Sequence, residues 1–115
     1  MVIKGYDSSC LEIAMKNLGE AFDYAKNSCG LSMDNFMDMF ISSGYSKMFE
    51  DGNPKVLVGI SGTELALNIF EKCGYTIEIK STQNKFDYSP EYWCGWILAY
   101  YQWKTGISFK YIHSQ

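Results

Sequence analysis

Ser61 is the side chain in this sequence with the best claim to nucleophilic chemistry. Gly59, Ile60, Ser61 and Gly62 begin like the turn that exposes a catalytic serine, but that motif needs glycine where Thr63 stands. A serine nucleophile also needs an oriented base within hydrogen-bond reach, and the one histidine is His113, two residues from the last position. Ser61 followed three residues later by Glu64 reads better as a capping box that opens a helix. Acid–base work would fall to paired carboxylates such as Asp34 with Asp38, or Glu50 with Asp51. These fit exposed turns at least as well. A single histidine and scattered cysteines do not compose a zinc site, and the acids lack the spacing of a calcium loop. No glycine-rich phosphate loop is present. The residues therefore predict no catalytic site, no metal and no cofactor.

The cysteines carry redox information instead. Cys10, Cys29, Cys73 and Cys94 are widely spaced, without a Cys-x-x-Cys pair. Two disulfides are one reading; four buried free thiols of a cytoplasmic protein are the preferred one. The first residues hold no apolar segment of the kind that directs export, in keeping with a cytoplasmic location.

Composition excludes some partners. At 115 residues the chain suits a single domain with a real core, and 47% hydrophobic residues argue against disorder. Ten basic residues, all Lys, against 13 acids give a net charge of −3, so nucleic acid is not expected as a sole partner. The absence of Arg removes the side chain best suited to bidentate phosphate recognition.

Any functional side chain must be held by secondary structure, and hydrophobic spacing predicts four helices. The first covers 9–29, with Ser9 and Glu12 as a capping box, a stripe of Leu11, Ala14, Met15, Leu18, Phe22, Ala25 and Cys29, and Gly30 as the stop. Its other side carries Glu12, Lys16, Glu20, Asp23 and Lys26, a charge row expected to face solvent. The second covers 32–43, capped by Ser32 and ended by Gly44, with Met33, Phe36, Met37, Phe40 and Ile41 as its stripe. A short turn around Met48 and Phe49 follows, then Asp51 to Pro54 mark a loop, and 56–60 is an apolar run that periodicity cannot assign. The third helix covers 62–73. Residues 76–81 alternate like a strand, with Phe109, Tyr111 and Ile112 as an optional pairing partner, and 83–88 reads as a linker.

The fourth helix, 90–105, is the most distinctive. Ser89 caps it, Pro90 suits its first position, and Gly106 suits its end. On a helical wheel Tyr92, Trp93, Trp96, Tyr100 and Trp103 share one sector, and Cys94, Ile97, Leu98 and Tyr101 share another, which the stripes of the first and third helices are expected to cover. Gly95, Ala99 and Gln102 form a small strip between them. A helix apolar nearly all round is expected at the centre of the domain. The run is about 18 Å long as a helix, short of the ~30 Å of a bilayer core, so no membrane partner is expected.

Asn17-Leu18-Gly19-Glu20, Asp23-Tyr24-Ala25, Gly52-Asn53-Pro54-Lys55, Ser61 to Ala66 and Pro90 through Gly106 carry a further likeness. On these residues the chain resembles a family of small proteins of Gram-positive gut bacteria and their mobile elements. Such proteins are often encoded beside toxin-like genes, including ones resembling ADP-ribosyltransferases. The resemblance covers nearly the whole chain and departs mainly over 75–88. It implies an antitoxin-like or accessory binding role, with no mapped active residues to carry over.

The expectation is a mainly α four-helix domain around the aromatic C-terminal helix, with a short two-stranded element as an option. In function it is a non-enzymatic, antitoxin-like inhibitor that binds a bacterial protein, either a toxin or a defence component. An anti-CRISPR-like inhibitor from a phage or mobile element and a small enzyme with an unrecognised site are the alternatives, and homo-oligomerisation is a further option. The aromatic sector of Tyr92, Trp93, Trp96, Tyr100 and Trp103 exceeds what one side of a small core must bury, which makes it the expected partner-binding surface.

Overall fold

The computed structural model describes residues 6–57, 59–75 and 89–114. It is mainly α, as the hydrophobic spacing predicts. A 3-10 turn at Ser8–Cys10 leads into α1 (Leu11–Asp23), which continues through a π turn at Tyr24–Ser28. Then come α2 (Met33–Ser42), α3 (Tyr45–Glu50), α4 (Pro54–Leu57), α5 (Gly62–Lys72), α6 (Pro90–Thr105) and α7 (Phe109–His113). No strand occurs among the described residues. The alternating stretch 76–81 and the linker 83–88 lie outside them.

Local chemistry explains most helix ends. Ser32 and Ser89 accept the backbone N–H of Asn35 and Tyr92, and Gly30, Gly44, Gly74 and Gly106 stop their helices with positive φ. Ser61 and Glu64 form both bonds of the capping box that opens α5.

Two local expectations are corrected. Ser9 and Glu12 do not make a capping box. The chain enters α1 through the 3-10 turn, so Asp7, one residue before that turn, accepts the Ser9 N–H, and Cys10 precedes α1 without a side-chain cap. The optional strand at Phe109, Tyr111 and Ile112 is helical. Ser108 caps it, the Glu50 carboxylate accepts the Phe109 N–H at 2.8 Å, and the Phe109 ring is buried against Phe40 and Phe49.

The larger correction concerns the centre of the bundle, which is α1. Two glycines bring neighbouring helices onto opposite flanks of it. On one flank, a Cβ at Gly62 would lie 2.3 Å from the Asn17 carbonyl oxygen, so only glycine lets α5 start there. The buried Asn17 amide then donates to Leu57 O at 2.8 Å and Ile60 O at 3.1 Å, holding the α4–α5 connection onto α1. On the other flank α6 runs antiparallel to α1. Asp23 meets Ser89, Gly19 meets Tyr92 and Gly95, and Tyr6 meets Trp103. A Cβ at Gly95 would lie 2.6 Å from Leu18 O. The aromatic helix is thus a flanking element, and its small strip of Gly95, Ala99 and Gln102 is the face it buries.

Phenylalanines lead the large, fully buried side chains among the described residues. Phe22, Phe36 and Phe70 join α1, α2 and α5 edge to face, with centroids 5.3 and 5.8 Å apart. Phe40, Phe49 and Phe109 do the same for α2, α3 and α7.

Candidate functional site

Turning the small strip of α6 inward decides where its large side chains go. Side chains on the opposite arc of the wheel must face away from α1. Trp93 is 47% exposed, Ile97 53%, Tyr101 46% and Tyr100 39%, and Cys94 is exposed beside them. These residues form one apolar ridge along the outside of the molecule. Scattered exposed hydrophobics are ordinary on protein surfaces, whereas a contiguous ridge of large apolar side chains is not.

The five aromatic residues expected to bind a partner therefore divide. Trp93 and Tyr100 lie on the ridge. Trp96 and Trp103 are half-buried on its shoulder, and the Trp103 indole N–H donates to Tyr6 O at 2.8 Å. Tyr92 is buried over Gly19. Edge-to-face stacking of Trp93 on Trp96, with centroids 5.6 Å apart, stiffens the start of the ridge. Ile97, Tyr101 and Cys94 belong to the sector expected to be covered by other helices, yet they are exposed. The spacing of Gly95 and Ala99 was the available signal: small residues four apart mark where two helices touch.

Beside the ridge, an apolar groove of about 370 Å³ lies between the start of α1 and α6, lined by Leu11, Glu12, Met15, Trp96, Ile97 and Tyr100. At the other end of the same helix pair, Asn27 donates to both Asp23 and Glu91, and the Ser89 hydroxyl donates to Asp23. The start of α6 is thereby tied to the end of α1, which holds the ridge in a fixed orientation.

The residues considered for catalysis are engaged elsewhere. The Ser61 hydroxyl accepts the Glu64 N–H, and His113 Nε2 lies 2.8 Å from Asp38 Oδ1, joining α7 to α2. His113 also borders a cavity of about 200 Å³ walled mainly by Phe22, Met33, Met37, Leu98 and Ile112. Burial raises the Glu50 carboxyl above its ordinary range, and the Phe109 N–H lowers it by less. Burial likewise raises the Cys29 thiol and drives the Tyr6 phenol far up. Among the described residues no group of three or more His, Cys, Asp or Glu side chains is placed to hold a metal ion.

All four cysteines are free, but the expectation that all are buried is corrected. Cys29 is buried, Cys10 is half-buried, and Cys73 and Cys94 are exposed. Among the described residues no helix is long and apolar enough to cross a membrane. Searches of protein-family models, curated sequences and solved structures give no match to this chain.

Proposed function

We propose that this chain is a non-enzymatic binding protein of the cytoplasm. On this reading it neutralises a bacterial partner protein, in the manner of an antitoxin, through the outer face of α6. The observation that carries the proposal is the ridge of Trp93, Ile97, Tyr100 and Tyr101, presented by a helix whose buried face is only glycine, alanine, Gln102 and Tyr92. Large, stiff aromatic side chains beside an apolar groove are the usual anchors of protein interfaces, and they lose little conformational entropy when covered. The structural bonds of Ser61 and His113 give the enzyme reading no comparable support.

The proposal is tested by co-expressing a tagged copy of the chain with the untagged product of the adjacent gene. The pair should co-purify through size exclusion, and the chain should suppress any growth defect caused by that product alone. An inhibitor of a defence component would instead leave the neighbour behind and protect a mobile element from host defence. Recovery of the chain alone, with no protection in either assay, would overturn the proposal.

A further inference from the structure

Two adjoining cavities lie between α3, the α4–α5 connection and α5, and no residue of α6 lines either. One, of about 290 Å³, is mainly apolar, with Met48, Val56 and Ile60 in its wall beside Lys55. The other, of about 330 Å³, is polar and lined by Glu71 and Lys72. Tyr45 and Asn68 line both, so a molecule lying across this pair reaches both cavities. Their size falls at the small end of the range for small-molecule sites, which begins at about 300 Å³. Among the described residues the half-buried Tyr45 hydroxyl and Asn68 amide have no hydrogen-bond partner. Glu71 and Lys72 have no ion-pair partner either, whereas Lys16 and Lys47 each lie 4.0 Å from an acid one turn on. The sequence explains the difference. No charged residue stands three or four positions from Glu71 or Lys72, and consecutive side chains on a helix diverge by 100°, so the two do not face each other.

We propose that the two cavities together bind a free α-amino acid with a large apolar side chain. Glu71 holds its ammonium, Lys72 holds its carboxylate, and the apolar cavity takes its side chain. A zwitterion carries both charges on one carbon, and the polar cavity offers one unpaired side chain of each sign. A simple amine or a simple acid would leave one of them unmatched. The Asn68 amide and the Tyr45 hydroxyl can each donate and accept, so they serve either end of the zwitterion. Met48 is flexible and polarisable and adapts to an aromatic or a branched side chain, and the methylene stem of Lys55 adds to the apolar wall. Glu71 and Lys72 are exposed, so solvent screens both contacts and the affinity falls in the millimolar range. The site stands apart from the binding role of α6 and does not depend on it.

The test titrates the full chain with L-phenylalanine and follows the side-chain amide signals of Asn68 by NMR. These signals should shift saturably. The same titration with 3-phenylpropanoate, which lacks the ammonium, and with 2-phenylethylamine, which lacks the carboxylate, should show binding weaker by about fivefold. Glycine, which lacks the side chain, should bind no better than these. Glu71→Gln should bring phenylalanine down to the level of 3-phenylpropanoate and leave 3-phenylpropanoate unchanged. Lys72→Gln should do the same with respect to 2-phenylethylamine. Both substituted side chains are exposed, so thermal melts of the variants should match wild type. The absence of a saturable shift at Asn68 would overturn the inference, and so would shifts centred on the α6 groove. Equal binding of the two singly charged compounds and phenylalanine would overturn it as well, as would wild-type affinity for phenylalanine in both variants. Ile97→Glu should leave phenylalanine binding unchanged, which keeps this result separate from the role of α6.

Discussion

Gly19 and Gly95 face each other where α1 and α6 cross: a Cβ on Gly95 would stand 2.9 Å from the Gly19 Cα and 2.6 Å from the Leu18 carbonyl oxygen. Alanine is ordinarily better than glycine inside a helix by about 1 kcal/mol. Here the added methyl meets backbone that cannot swing aside, so the sign reverses. Gly95→Ala should cost roughly 1–3 kcal/mol, as overpacked contacts do, measured by urea unfolding. A variant as stable as wild type, or more so, would show that the crossing is looser than described.

The same contact explains what was legible in the sequence and what was not. Stripes such as Phe36, Met37 and Phe40 marked α2, and Ser61 with Glu64 marked the start of α5, because those signals depend on local spacing alone. The orientation of α6 depends on its neighbour. Counting large apolar side chains as core pointed to the aromatic sector, whereas close approach of two backbones selected Gly95 and Ala99. Two of the five expected partner-binding residues thus lie on the ridge, and Ile97 and Tyr101 join them from the sector expected to be covered. At Phe109 to Ile112 a strand-like alternation gave way to a helix because Ser108 and Glu50 supply its first turn with acceptors.

Asn17 tests how the α4–α5 connection is held. Asn17→Ala would leave the Leu57 and Ile60 carbonyls without their side-chain donor in a buried setting, at a cost of about 1–3 kcal/mol. Chemical denaturation should show the loss as a lower midpoint with an unchanged slope. An unchanged midpoint would mean that water or backbone replaces the amide.

Glu50 gives a pH dependence with a defined sign. Its carboxyl pKa is raised in the folded chain, so the proton is held more tightly folded than unfolded. The associated stability is fully present below the unfolded value of about 4.3 and is lost as pH rises through the raised folded value. Glu50→Gln keeps an oxygen for the Phe109 N–H and removes this loss. Its stability relative to wild type should improve as pH climbs from acid to neutral, read from urea midpoints across that range. A difference that is flat, or that tilts toward wild type at neutral pH, would contradict the assignment.

The cysteines should react in order of exposure. A thiol reagent applied to the native chain should modify Cys73 and Cys94 first and Cys10 later, as mass spectrometry of digests can assign. Cys29 should wait for unfolding, since burial both shields it and keeps it protonated. Early labelling of Cys29 would contradict the packing of the α1 end.

Calorimetric titration of the adjacent gene product with wild type, Ile97→Glu and Tyr100→Ala measures whether the outer face of α6 binds a partner. Both side chains are exposed, so thermal melts of the two variants should match wild type closely. Their binding should weaken by about 2 kcal/mol or more, the usual effect of removing an interface anchor. Wild-type affinity in both variants would contradict the account, and so would a large loss of thermal stability, which would return these side chains to the core.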